Sequence, residues 1–536
     1  EHPDDLEAKA FLAWSCWHVK DKGLPIQSHV AVDGLLRDVL AERPSHPGAH
    51  HYTIHLWDQE KAGRALVSAA KYGPSSPGIA HAWHMPGHIY SKLHRHADAA
   101  WHQEASSRVD HAQMRRDGTM PWQIHNYAHN QQWCAKSLGH VGRVRDGLSL
   151  AANLISIPKH PKLNHEGASG QCFREGRARM MDLLSAWELW DELLARADGP
   201  LAPIENREDT VQRGRAVGAA LIEKGRLAEA RALVESLEAL RATPEKEEEK
   251  KDDEPYKEEE PKKDEKKKDD KKGKALEAAI HELRGRLALA AGETKEAVEH
   301  LEKAELPKAV LAGLWLRAGE KEKAEKASKE AVAGGQGELL PLAVRAEVVG
   351  KHPPELAQTG RFADADLPIL RRIGFTPPSP RPMPEAGTRG TSLDDLGPLL
   401  WSPVSAPPVP FTVDRPTLLI FYLGSGCAHC RQQLEVFAKV DVESAGLQVV
   451  AISTETAEQV EKAREEKRVV VPFAMRADPE RGLFKAFRCW DDFEDMPLHG
   501  TFLLDAEGRI RWRDISYTPF MEAEFLVKEA TRLLSN

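Results

Sequence analysis

The chain has 536 residues and a formal net charge of −9, with 41% of residues hydrophobic and 29% charged. That length suits about three to four domains; no run of roughly 18 apolar residues could span a membrane, and no basic stripe interleaved with aromatics points to nucleic acid. Its 6 cysteines are too sparse for a disulfide framework, and a start at Glu1 instead of Met reads as a processed or fragmentary product whose signal peptide would lie outside it.

Residues 1–165 hold 19 of the 24 histidines and 7 of the 13 tryptophans. The pairs His51/His55, His84/His88 and His125/His129 are spaced i,i+4, which puts each pair on one helix face. His81 joins the second pair from three residues earlier, and Pro86 is expected to disturb the helix between its members. Neutral imidazoles at this spacing chelate zinc, copper or iron. The candidate metal set is therefore His51, His55, His84, His88, His125 and His129, with a transition metal as the implied cofactor. No Glu falls inside the pairs, which excludes a His-Glu-x-x-His protease. The competing reading has the rings hydrogen-bonding within helix interfaces while Trp and Tyr fill the gaps, and both readings stay open. These segments look like motifs in uncharacterised bacterial tetratricopeptide proteins, a likeness that assigns no role to any residue.

Further along, residues 223–230, 290–297 and 317–324 share one pattern: a Gly turn between amphipathic helices, with Ala five residues after the Gly for close packing. Residues 93–99 and 138–144 look like degenerate versions. The pattern resembles the tetratricopeptide helix-turn-helix, whose period is about 34 residues. Residues 1–243 and 275–350 are accordingly expected to form an all-α helical-repeat solenoid, a surface for a partner protein. Between them, residues 244–274 carry 12 Lys and 14 acidic residues. Such a run cannot bury enough apolar surface to fold and is expected to be a charged disordered insert. The Pro-rich stretch 351–400 reads as a semi-extended linker.

After the apolar run Leu418–Leu423 comes Cys427-Ala428-His429-Cys430. Two cysteines at a strand-to-helix junction suit reversible dithiol–disulfide chemistry. The helix N-terminus stabilises the first thiolate, and the second cysteine reaches back to resolve a mixed disulfide. A structural zinc half-site is the alternative, but no second Cys-x-x-Cys completes it. A second strand run follows at Leu447–Ser453, then a helix over 456–467 and a strand run at Val469–Pro472. A hairpin from Gly500–Asp505 into Arg509–Trp512 and a helix near 521–535 close the chain. Strands alternating with helices before a terminal hairpin predict an α/β sheet of mixed direction. Cys489 is either a core residue or an extra resolving thiol.

Over residues 401–536, the segments Phe421–Cys430 and Thr501–Gly508 resemble the thioredoxin superfamily. Within it they are similar to the redoxin branch, the alkyl hydroperoxide reductase/thiol-specific antioxidant family. The resemblance implies that Cys427 attacks, Cys430 resolves, His429 tunes the potential, and Pro497 is the cis-proline that shapes the substrate groove. Three features depart from it. Gly424 stands where peroxiredoxins carry Thr, His499 stands where they place an Arg, and Phe411–Pro416 is short where redoxins have an extra hairpin. A His-containing Cys-x-x-Cys resembles extracytoplasmic oxidising members, so an exported, periplasmic protein is expected.

The whole reads as a multidomain protein, an all-α helical-repeat solenoid followed by an α/β thioredoxin-like domain. It is expected to act on protein thiols and disulfides with no required cofactor. The alternatives are an interaction scaffold with a vestigial redox domain, a peroxiredoxin-like antioxidant, and a metal-binding helical-repeat protein.

Overall fold

One turn recurs along the helical part of the chain. A residue in the left-handed conformation ends one helix at His94, Gly142, Glu188, Gly225, Gly292 and Gly319, with φ between 56° and 79°. The next residue's N–H then reaches back five positions: Arg95 to the Tyr90 carbonyl, Arg143 to Leu138, Leu189 to Leu184, Arg226 to Leu221, Glu293 to Ala288 and Glu320 to Trp315, all at 2.8–3.0 Å. This bond satisfies a carbonyl that the ending helix leaves open, which is why Gly dominates the position. The residue five beyond the turn lies in the crook of the helix pair and must be small or well fitted. Ala99, Ala230, Ala297 and Ala324 are fully buried there. Both degenerate turns read from the sequence carry this geometry, and the Glu188 turn adds one the Gly pattern did not flag.

The computed structural model describes residues 4–124, 126–242, 265–378, 393 and 396–535. It divides into two compact units: 1–112, 125–156 and 166–400 form one, and 113–124, 157–165 and 401–536 the other. The last change of unit along the chain falls between residues 400 and 401. Two short stretches from the expected solenoid nevertheless count with the second unit.

The helical unit has a core running from Val144 to Leu370. A buried ion pair sits within it: Arg177 meets Asp209 through two bonds of 2.7 and 2.8 Å and donates a third, of 2.7 Å, to the Pro200 carbonyl. The linker expected over 351–400 is not extended in its first half. Leu356, Leu367, Ile369 and Leu370 belong to the helical core, and Asp364 accepts from the Arg145 N–H at 2.8 Å. Pro368 opens the short helix Pro368–Arg372, the first-turn position that proline favours. Of the expected insert, residues 244–264 lie outside the described residues. Its last ten begin the helix Glu265–Ala291, since Lys and Glu favour helix even without apolar neighbours.

The second unit is built on a six-stranded sheet. Its strands are β1 (Val404–Ser405), β2 (Thr417–Tyr422), β3 (Gln448–Ser453), β4 (Ala474–Ala477), β7 (His499–Leu504) and β8 (Arg509–Ser516), with a separate pair β5 (Trp490–Asp491) and β6 (Met496–Pro497). The order is β1-β8-β7-β2-β3-β4; β2, β3 and β4 run parallel, β7 runs against β2, and β8 runs against β7. This is the thioredoxin-like arrangement expected. The fourth strand forms at Ala474–Ala477, not at Val469–Pro472, because Pro472 has no N–H to give a ladder. Every residue of β2 is buried, as a central parallel strand covered on both faces must be. Leu418, Ile420 and Tyr422 face Cys430, Leu434 and the helix Ala523–Leu534. Leu419 and Phe421 face Phe484, Phe487 and Cys489. Residues 157–165 close the first of these faces: the Trp512 indole donates to the Lys159 carbonyl at 2.8 Å and Glu529 accepts from the Lys159 N–H at 2.6 Å. Among the described residues, no helix is long and apolar enough to cross a membrane.

Candidate functional site: a dithiol at the sheet end and two histidine triads

Beyond Tyr422 the chain leaves β2, turns through Gly424-Ser425-Gly426 and enters the helix Ala428–Lys439. Gly424 has φ +128°, a conformation side chains resist. The Glu455 carboxylate fixes the turn, accepting from the Ser425 N–H at 3.0 Å, the Ser425 hydroxyl at 2.6 Å and the Ser453 hydroxyl at 3.2 Å. Cys427 is the N-cap, and its sulfur accepts from the Cys430 N–H at 3.1 Å. Cys427 and Cys430 form a disulfide with Cα atoms 5.3 Å apart. Cys430 is fully buried and Cys427 half-buried, so Cys427 is the sulfur that solvent and a partner reach.

The residue opposite this pair is His499. Antiparallel pairing of β2 with β7 sets Phe421 against Gly500, which places His499 at the end of β2. Its Nε2 lies 3.3 Å from the Cys430 sulfur. Burial lowers its pKa, backbone hydrogen bonding at Tyr517 and Ser516 partly restores it, and nearby His429 lowers it again. Burial therefore favours the neutral ring. Gln433 donates to the Thr501 hydroxyl at 3.1 Å, tying the cysteine helix to β7. The close approach behind His499 needs glycine: a methyl on Gly500 would lie 2.3 Å from the Cys489 sulfur.

The expected residues divide. Cys427 and Cys430 meet, and His429 is exposed beside them at the helix start. Pro497 is not the cis-proline that the resemblance implied, for no described peptide bond is cis. It lies in β6 opposite Trp490, and the position against the dithiol belongs to His499. In the sequence His499 stands only in the place of an Arg; its position three residues before Phe502 on the hairpin strand is the available signal. Cys489 is buried on the opposite sheet face from Cys430, and burial pushes its thiol pKa up, which suits a core residue.

In the helical unit the histidines regroup. The helix Ala80–Lys92 runs through Pro86 unbroken, so His84 and His88 share a face with Nε2 atoms 2.7 Å apart. His129 completes that group, while His81 joins His51 and His55 instead. His125 lies outside the described residues.

A dithiol at the carboxyl end of a mixed sheet, capping the following helix, defines a thioredoxin-like domain. Residues 410–513 match the model of the AhpC/TSA family, so this part of the chain is a redoxin-type oxidoreductase domain. Solved structures similar to it include AhpC of Enterococcus faecalis, at 20% identity and TM-score 0.21, covering 22% of this chain and 72% of that one. AhpC of Mycobacterium tuberculosis matches at 16% identity and TM-score 0.21, covering 23% of this chain and 71% of that one. Peroxiredoxin Q of Xanthomonas campestris matches at 15% identity and TM-score 0.20, covering 22% of this chain and 78% of that one. No curated protein matches the chain.

Proposed function

We propose that the redoxin-type domain is a thiol–disulfide oxidoreductase in which Cys427 is the nucleophile, Cys430 the resolving thiol and His499 the base that serves Cys430. The carrying observation is the contact of His499 Nε2 with the buried Cys430 sulfur behind an outward Cys427. In the reduced enzyme the Cys427 thiolate, favoured by the helix end and the Cys430 N–H, attacks a partner disulfide. One partner sulfur leaves as thiolate and takes a proton from water. Cys430 then gives its proton to neutral His499 and attacks the Cys427 sulfur, releasing the second partner thiol and closing the Cys427–Cys430 disulfide. A dithiol of another protein returns the pair to the reduced state. His429, exposed beside Cys427, tunes the potential, Pro497 on β6 borders the substrate groove, and the array of helix pairs offers a docking surface for a partner protein.

Peroxide reduction is a second reading, favoured by the AhpC/TSA match. It needs donors for the departing oxygen, and Gly424 and a neutral His499 replace the Thr and Arg that would supply them. Loss of such donors costs on the order of 10²–10³ in rate each. Steady-state rates of the full chain on a mixed disulfide and on hydrogen peroxide decide between the two. Fast disulfide turnover, slow peroxide turnover and loss of the former in Cys427→Ser are expected. Efficient peroxide turnover abolished by Cys427→Ser would overturn the reading.

A further inference from the structure

We propose that the helical unit carries a paired metal centre, two imidazole-seeking transition-metal ions, one held by His51, His55 and His81 and the other by His84, His88 and His129. In the first triad the Nε2 of His51 lies 2.9 Å from that of His55 and 3.0 Å from that of His81. One ring nitrogen carries either one proton or one lone pair, so it makes one good in-plane hydrogen bond, not two. Three ring nitrogens facing a common point are poorly matched to each other and well matched to a cation. A tetrahedral ion with bonds of about 2.0–2.1 Å spaces its nitrogens about 3.3–3.4 Å apart, so an ion needs the rings to part by about 0.4 Å.

The second triad shows the same convergence with its orientation already set. The Gln103 amide donates to the His84 carbonyl at 3.3 Å, which turns its oxygen to the His84 Nδ1 at 2.7 Å. His84 therefore holds its proton on Nδ1 and points the Nε2 lone pair at His88, the outer hydrogen bond typical of metal-bound histidine. The ligand atom of His129 lies within 4.8 Å of those of His84 and His88, and its exposed ring leaves a way in for the ion. Aromatic rings wall both groups: Tyr72 stacks on His51 at 5.2 Å, Trp17 lies 4.3 Å from His55 and Trp133 lies 4.9 Å from His88.

The helix Ala80–Lys92 serves both triads, with the His81 and His84 rings 6.1 Å apart. Neither triad contains a thiolate or carboxylate, so Zn²⁺ and copper suit it and Mg²⁺ or Ca²⁺ do not.

The test uses the full chain with the Cys427–Cys430 disulfide closed, so that this pair offers no thiolate. Zn²⁺ is titrated by calorimetry and Co²⁺ by its visible d–d bands. About two equivalents per chain are expected, with no sulfur-to-cobalt charge-transfer band. His51→Gln and His84→Gln should each leave about one equivalent and the double variant none, with circular dichroism confirming retained helix. Zn²⁺ should also raise the melting temperature of the wild-type chain, and less in each single variant. Absence of uptake by the wild-type chain, uptake unchanged in both variants, or loss of all uptake in either single variant would overturn the paired centre.

Discussion

The two groups of reactive side chains are assembled in opposite ways. Cys427 and Cys430 lie three residues apart, and one strand end and one helix start suffice to bring them together. The two histidine triads draw on three helices, Pro47–Asp58, Ala80–Lys92 and Tyr127–His140. No single segment makes either triad. A site built from a contiguous motif depends on local geometry and survives modest shifts of the fold. One built from distant helices depends on packing to within about 0.5 Å. The comparison teaches that the dithiol should tolerate damage to its surroundings better than the triads tolerate damage to theirs.

That contrast can be broken or sharpened experimentally. The largest effect is expected from the ion pair that fixes the helical unit. Asp209→Ala strands a buried guanidinium on Arg177 and should cost about 3–5 kcal/mol, read by denaturant unfolding. The disulfide-exchange rate of the folded fraction should be unchanged, whereas equal damage to exchange would show that the two regions are not separable.

Next comes the base. His499→Ala should slow the step in which Cys430 resolves a trapped mixed disulfide by about 10²-fold, with the first attack by Cys427 little altered, as stopped-flow kinetics would separate. Burial lowers the His499 pKa below its ordinary value, so the acid fall in the wild-type resolution rate should have its midpoint below pH 6.5. The same shift makes the unfolded chain bind the extra proton first. His499 therefore withdraws stability as pH falls from 6.5 toward its lowered value, and His499→Asn removes that dependence. A midpoint above pH 6.5 would remove His499 from the mechanism.

Gly500→Ala should destabilise the redoxin-type unit by about 1–3 kcal/mol through overpacking against Cys489. Cys489→Ala, which removes the sulfur 2.3 Å from the new methyl, should recover part of that loss. If the double variant is no better than the single one, the clash lies with Phe502 instead. The smallest effect concerns a support for the second triad. A methyl on Gly87 would lie 2.2 Å from the Gln103 amide nitrogen that orients His84, so Gly87→Ala should weaken one of the two metal equivalents by roughly tenfold. Calorimetry would read this, with the other equivalent as internal control.

Residues 427–430, the apolar run of β2 and the Gly508 hairpin determined the redoxin-type fold on their own, because each is a short-range pattern. A strand needs its apolar run, a helix start its cap and a tight turn its left-handed glycine. The helix pairs were equally legible wherever Gly marked the turn, and illegible at Glu188, where a residue without that signature takes the same conformation. Only the tertiary structure put His499 against Cys430, since β-sheet register across 69 residues decides that contact and no local spacing encodes it. The regrouping of His81 with His51 and His55 has the same cause. An i,i+4 pattern says which rings share a helix face, while packing between helices decides which faces meet.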